Sequence, residues 1–154
     1  MSHNALHVFV VIFSFFAVLA APVFAAGTDD GTSAASGTAD SYADAKVLVE
    51  AGNFEAALPA LLTITTEDPQ NADGWNLLGF THRKLGNTDD SAQAYQVALT
   101  INPNHLGALE YQGELFITLG QMDLARANLA KLQGLCGTCE ESEDLDNALK
   151  AAGA

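Results

Sequence analysis

The residues best suited to chemistry are two cysteines in the stretch QGLCGTCEES, residues 133–142. The Cys-x-x-Cys spacing of Cys136 and Cys139 is shared by redox centres, zinc half-sites and short disulfides. A redox pair normally belongs to a strand–helix setting, and no strand pattern precedes these residues. Acidic Glu140 and Glu141 also disfavour the thiolate that redox chemistry needs. The pattern therefore favours a disulfide staple, with a redox pair, a metal site or free thiols as alternatives.

The remaining polar residues form no catalytic pattern. His82 and His105 lack the spacing that would complete a four-ligand zinc site with the cysteines. Position 140 is Glu, where a haem attachment motif needs His. The acidic run 140–144 lacks the alternating acids and central glycine of a calcium loop. We therefore expect a protein that is not an enzyme and has no cofactor or metal.

The charge of the chain restricts its partners. The 154 residues include 19 acidic and six basic side chains, which gives a net charge of −13. Such a surface repels phosphate backbones and anionic lipid headgroups, so we expect neither nucleic acid nor a membrane surface as a partner. The length is enough for one small domain and hardly for two.

The N-terminus resembles a secretory signal. Residues 8–21, VFVVIFSFFAVLAA, are shorter than the ~20 apolar residues of a spanning helix and fit a signal core. Val23 and Ala25 fit a cleavage site after residue 25, although no Lys or Arg precedes the apolar run. We predict a signal peptide over 1–25, with an uncleaved anchor as the alternative, and export to the bacterial periplasm. Residues 26–39 are small and polar, which predicts a flexible linker.

A period of 34 residues runs through the rest of the chain. Five columns recur at this interval: Gly52, Gly86 and Gly120; Ala45, Gly79 and Gly113; Ala57, Ser91 and Ala125; Leu61, Tyr95 and Leu129; and Ile64, Ala98 and Leu132. A fixed period of this size indicates a repeat architecture in which each unit packs on the next. The repeat is the strongest structural signal in the sequence.

Each unit is predicted to contain two helices. In the middle unit the apolar residues recur at three- and four-residue spacing, at Trp75, Leu78 and Leu85 and then at Ala92, Tyr95, Ala98 and Leu99. Gly86 is placed to end the first helix, and Asn102-Pro103 to end the second. A glycine inside the first helix, such as Gly79, costs about 1 kcal/mol relative to alanine. The column of small residues at 45, 79 and 113 therefore predicts close helix pairing within each unit.

The stretch WNLLGFTHRKLGNTDDSAQAYQVALTINP resembles a tetratricopeptide repeat (TPR). The resemblance is carried by Trp75, Leu78, Gly79, Ser91, Tyr95, Ala98 and Pro103, with His82 where the family has tyrosine. It implies an all-α solenoid of about three helix-turn-helix units, at about 38–71, 72–105 and 106–134, within a TPR domain of 40–154. Pro59 is expected to delay or kink the second helix of the first unit. A capping helix over about 139–152 is expected to begin with a capping box of Thr138 and Glu141.

The resemblance also implies a function. In this family the first helices of the units line a concave face that binds a protein or peptide. The corresponding positions here, together with the neighbouring Lys84, are Tyr42, Lys46, Val49, Asn76, Phe80, Arg83, Glu110, Glu114 and Ile117. We expect a non-catalytic scaffold or adaptor for a protein or peptide partner. The alternatives are a thiol-disulfide accessory protein that uses Cys136 and Cys139, and a self-associating assembly factor.

Overall fold

A computed structural model describes residues 33–153, with side chains from residue 41 onward. This part of the chain contains seven helices: α1 (Ser33–Glu50), α2 (Phe54–Glu67), α3 (Ala72–Lys84), α4 (Thr88–Ile101), α5 (Leu106–Thr118), α6 (Met122–Cys136) and α7 (Glu140–Ala151). The signal peptide predicted for 1–25 lies outside the described residues. Within 33–153 there is no helix that combines the length and the apolar character needed to cross a membrane.

The helices stack as pairs along a curved array. α1 packs on α2, α3 on α4 and α5 on α6, and each pair packs on the next. The first helices α1, α3 and α5 also contact their neighbours in the row, and α7 continues the row against α5. The second helices α2, α4 and α6 do not contact one another within the described part. The first helices therefore lie on the inner side of the curve, and the predicted all-α solenoid with a C-terminal capping helix is confirmed.

The repeated glycines end the first helices, as their spacing predicts. Gly52, Gly86 and Gly120 have φ values of 75°, 80° and 73°, a conformation that only glycine adopts without strain. After α3, the N–H of Gly86 donates to Arg83 O at 3.1 Å and the N–H of Asn87 donates to His82 O at 2.9 Å. These two bonds satisfy carbonyls at the end of the helix in a Schellman arrangement. The glycine column therefore fixes the sharp turn inside each unit.

Polar side chains fix the starts of α3 and α5. Asn71 Oδ1 accepts from the N–H of Gly74 at 2.8 Å and so caps α3. His105 Nδ1 accepts from the N–H of Ala108 at 3.1 Å, while its Nε2 lies 2.9 Å from Asp73 Oδ1 of α3. His105 thus caps its own helix and ties it to the preceding unit, which is a structural role.

The column of small residues allows two close approaches, one within the middle unit and one to the capping helix. A Cβ on Gly79 would lie 2.7 Å from the ring of Tyr95, so α3 and α4 pair closely as predicted. A Cβ on Gly113 would lie 2.5 Å from Leu145, which belongs to α7. α5 also packs on α6, so pairing within the unit is present here, and the nearest neighbour of Gly113 is the capping helix. The small residue thus also accommodates α7, which occupies the place of a further first helix.

Three local predictions also need correction. α2 begins at Phe54 and continues through Pro59, so the delayed start is wrong, while the kink stays a prediction. Pro59 is exposed, and the buried Ala57, Leu61 and Ile64 hold the helix in place. The residue that caps α7 is Cys139, without a side-chain cap hydrogen bond, so the capping box of Thr138 is not formed.

Finally, α1 begins at Ser33, so the predicted linker is helical over its last seven residues (33–39). The alanines and the absence of proline there let the helix extend outward from its packed part.

Candidate functional site

The inner face carries an apolar pocket of about 380 Å³. α1, the start of α2, α3 and α5 contribute its lining: Lys46, Val49, Glu50, Gly52, Phe54, Leu77, Phe80 and Tyr111. Most of the surface of this pocket is aliphatic or aromatic, and Lys46 and Glu50 lie at its edge as an ion pair one helical turn apart. Concave sites of this kind, with an apolar lining and a few polar groups, are typical of ligand binding.

Three aromatic rings form the rigid part of the pocket. The ring centroids of Phe54 and Phe80 are 6.2 Å apart in an edge-on arrangement, and those of Phe80 and Tyr111 are 4.8 Å apart and tilted. Each such pair adds about 0.5–1.5 kcal/mol beyond the burial of its area. All three side chains remain partly exposed, so the rings link three helices and still present apolar surface to solvent.

Two cations lie over these rings. Arg83 Cζ is 5.5 Å from the ring centroid of Phe80 and 5.7 Å from that of Tyr111, and Lys84 Nζ is 5.1 Å from the ring centroid of Phe80. Arg83 also forms an ion pair with Glu114 of α5, and the two side chains are only 15% and 26% exposed. Its guanidinium is therefore engaged in holding α3 to α5, whereas Lys84 is exposed and has no carboxylate partner among the described side chains.

Glu110 of α5 is the buried charge-bearing group of this region. Its side chain belongs to a residue that is only 7% exposed, and it makes no hydrogen bond or ion pair within the described residues. The pKa of its carboxyl is raised to about 8, mainly by burial and then by the nearby Glu114, Asp144 and Glu141, whereas Arg83 acts in the opposite direction. Burial and the neighbouring acids thus both favour the protonated form of Glu110.

The structure brings together some of the residues predicted from the sequence. Lys46 and Phe80 line the pocket, Arg83 and Lys84 lie over the ring of Phe80, and Glu114 pairs with Arg83. Tyr42 packs against the N-terminal core cluster, Ile117 packs against the C-terminal one, and Asn76 is half-buried with its Oδ1 unpaired. The pocket residues Phe54, Leu77 and Tyr111 were not among the positions predicted from the sequence. Leu77 and Tyr111 are themselves 34 residues apart, so the repeat contained the signal that would have identified them.

The two cysteines lie at the junction of α6 and α7, away from the pocket. Their sulfur atoms are bonded to each other, and their Cα atoms are 5.6 Å apart. Cys136 is the last residue of α6 and Cys139 caps α7, so the bond closes the turn between these helices. This position suits the staple predicted from the sequence; the role itself stays a prediction.

Comparison with solved structures places this arrangement among TPR proteins. The Yersinia enterocolitica type III secretion translocator chaperone SycD, in complex with a peptide of the translocator YopD, superposes with a TM-score of 0.68 at 17% identity; the match covers 77% of this chain and 93% of SycD. The first TPR of Spaghetti (RPAP3) bound to the HSP90 peptide SRMEEVD gives 0.67 at 14% identity, covering 76% and 94%. The TPR domain of Arabidopsis OM64 gives 0.70 at 12% identity, covering 77% and 98%. These likenesses show the fold.

Sequence comparison identifies the family. No curated protein matches the chain. The sequence model of the tetratricopeptide repeat family matches residues 42–105 and 81–137, which together span more than half of the chain. With the 34-residue period and the stack of paired helices, this match shows that the chain belongs to the tetratricopeptide repeat family.

Proposed function

We propose that this protein is an exported, non-catalytic scaffold or adaptor that binds an extended segment of a partner protein on its inner face. The observation that carries the proposal is the apolar pocket between α1, α3 and α5, with the partly exposed rings of Phe54, Phe80 and Tyr111. The peptide complexes of SycD and Spaghetti support it, because proteins of the same fold hold peptides. Export is supported by the sequence alone, through the apolar run at 8–21.

The pocket geometry suggests how such a segment is held. One apolar side chain of the partner enters the pocket and covers the rings, and burial of a leucine-sized group contributes about 1.5–3 kcal/mol. The rings are already fixed by one another and by Arg83, so little ordering cost is added on binding. Flanking contacts with Lys46 and Lys84 at the edge then orient the segment.

A photo-crosslinking experiment in cells tests the binding role. A photoreactive residue in place of Phe80 reports on the pocket, and the same residue in place of Leu62, which is 50% exposed on α2, is the matched control on a second helix. We expect a defined adduct from position 80 and none of the same size from position 62. A common adduct from both positions, or an adduct from position 62 alone, would contradict inner-face binding.

The disulfide provides a second candidate function, because a Cys-x-x-Cys pair at the start of a helix can exchange with partner thiols. We expect the staple role instead. Replacing both cysteines with serine then lowers the free energy of unfolding by about 2 kcal/mol, the loop-closure value for so short a loop, and leaves partner binding unchanged. Urea unfolding and binding of the captured partner measure the two effects. Mixed disulfides trapped by the single variant Cys139→Ser would favour the thiol-disulfide function.

A further inference from the structure

Lys84, the last residue of α3, is a cation without a counter-ion beside the pocket. Its Nζ lies 5.1 Å from the ring centroid of Phe80, which lines the pocket, and the side chain is exposed. Lys84 makes no hydrogen bond or ion pair within residues 41–153. The chain has 19 acidic side chains against six basic ones, so a shortage of carboxylates is not the reason.

The other five basic side chains of the chain are all engaged. Four of them form ion pairs and one donates to a backbone carbonyl: Lys46 with Glu50, Arg83 with Glu114, Arg126 with Asp123, Lys150 with Asp146, and Lys131 with Pro103 O. At the rings of the pocket the pairs of Lys46 and Arg83 are each neutral, so the charge of Lys84 is the one left for a partner. Glu110 of α5 is only 7% exposed and presents no carboxylate to solvent.

The repeat shows that the fold does not require a cation at this position. Residues 34 positions before and after Lys84 are Glu50 and Thr118. α1 and α5 therefore end without a basic residue in the last turn, although such a residue interacts favourably with the end of a helix. The glycine that follows each of these helices is sufficient to end it. Lys84 is thus a feature of the pocket and not of the repeat.

We infer that Lys84 binds the carboxylate of an aspartate or glutamate in the partner segment, close to the apolar side chain that enters the pocket. The inference rests on the proposed function and names the chemical class of its partner. An anion at Nζ lies within about two extended residues of a side chain on the Phe80 ring, since each residue advances about 3.3 Å. When the bound segment excludes water from the ring, the ion pair strengthens, because charges attract more strongly away from solvent.

The net charge of −13 limits how acidic the partner can be. A run of acids would gain one ion pair at Lys84 and be repelled by the rest of the surface. The segment that fits best therefore has a single acidic residue within two positions of a large apolar one. Both the attraction at Lys84 and the repulsion elsewhere contribute to this specificity.

The test is a selection of random twelve-residue peptides displayed on phage against the purified chain. Enriched sequences are then synthesised with an amidated C-terminus, so that side chains supply all their carboxylates, and their affinities are measured by fluorescence anisotropy. Lys84→Met removes the charge and keeps the stem over the ring. The matched control is Lys150→Met, the same exchange at an exposed lysine of α7.

We expect peptides with Asp or Glu within two residues of a large apolar residue. Their affinity should fall about fivefold or more on Lys84→Met and change less than about twofold on Lys150→Met. A charge exchange adds a second readout: the peptide with Lys in place of its acid should bind Lys84→Glu about fivefold more tightly than it binds the natural chain.

Two results would overturn the inference and leave the proposed function standing. One is enrichment of peptides without acids that lose affinity on Phe80→Ala, and the other is equal affinity of the acidic peptides for Lys84→Met and Lys150→Met. Peptides that bind Phe80→Ala as well as the natural chain would overturn both the inference and the proposed function. The same holds if no peptide is enriched on the natural chain over a parallel selection on Phe80→Ala.

Discussion

Replacing Gly79 with alanine is expected to lower the free energy of unfolding by about 2 kcal/mol, although alanine is the better helix former by about 1 kcal/mol. The added Cβ would lie 2.7 Å from two ring carbons of Tyr95. Tyr95 is fully buried in α4, and its rigid ring cannot turn away without displacing its own neighbours. The clash must therefore separate α3 from α4, the two helices of the middle unit.

Urea unfolding of the variant measures this effect, and the chain supplies a matched control. Gly134 lies inside α6, and a Cβ there would meet no atom within 4 Å. Gly134→Ala should therefore raise the free energy of unfolding by about 0.5–1 kcal/mol, the ordinary gain for this exchange in an exposed helix. If the two variants were equally stable, the close packing of Gly79 on Tyr95 would not exist in solution.

The second large effect is a pH dependence of stability that depends on Glu110. The pKa of its carboxyl is raised to about 8 in the folded chain, from 4.5 for an exposed glutamate, mainly because of burial. The protonated carboxyl is favoured by the fold, so this contribution to stability is fully present below about pH 4.5. It is lost progressively as the pH rises through 8, because the unfolded chain releases the proton first. Because solvent near this carboxyl screens part of the effect, the free energy of unfolding falls by on the order of 2–4 kcal/mol over this pH range.

Glu110→Gln removes the titration and should therefore be more stable than the natural chain at pH 9, by on the order of 2–4 kcal/mol. At pH 5 the two should agree within about 1 kcal/mol, since glutamine resembles the protonated acid. Unfolding of both chains across this range gives the difference directly, with Glu143→Gln as the control for a simple loss of charge. A difference that is the same at pH 5 and pH 9 would show that Glu110 is not the group that titrates.

The repeat and the helix ends were predictable from the sequence because they depend on local chemistry. The glycine column requires a left-handed conformation, and the apolar spacing requires two helices between each pair of glycines. The continuity of α2 through Pro59 was not predictable in this way. It depends on the buried face of that helix, where tertiary packing outweighs the local preference of one exposed residue.

The candidate site was harder to predict because its character depends on contacts between units. The family pattern placed Arg83 and Glu114 on the same face, but spacing alone does not show that they pair with each other. Glu110 was predicted for the concave face, but its burial and the raised pKa of its carboxyl, to which Glu141 and Asp144 of α7 contribute, arise only in the folded chain. Because α7 lies outside the repeats, a sequence comparison of single repeats does not contain that information.

The central claim is that the inner face binds a segment of a partner, and the affinity of the captured segment for two alanine variants tests it most directly. Phe80→Ala removes a ring from the pocket, and Leu62→Ala removes an exposed apolar side chain from α2. Both variants are first shown by circular dichroism to retain the helical content of the natural chain. We predict that Phe80→Ala weakens binding at least tenfold, which corresponds to about 1.4 kcal/mol, while Leu62→Ala binds as tightly as the natural chain. A loss of affinity in Leu62→Ala with none in Phe80→Ala would contradict the claim and place the binding surface on the second helices.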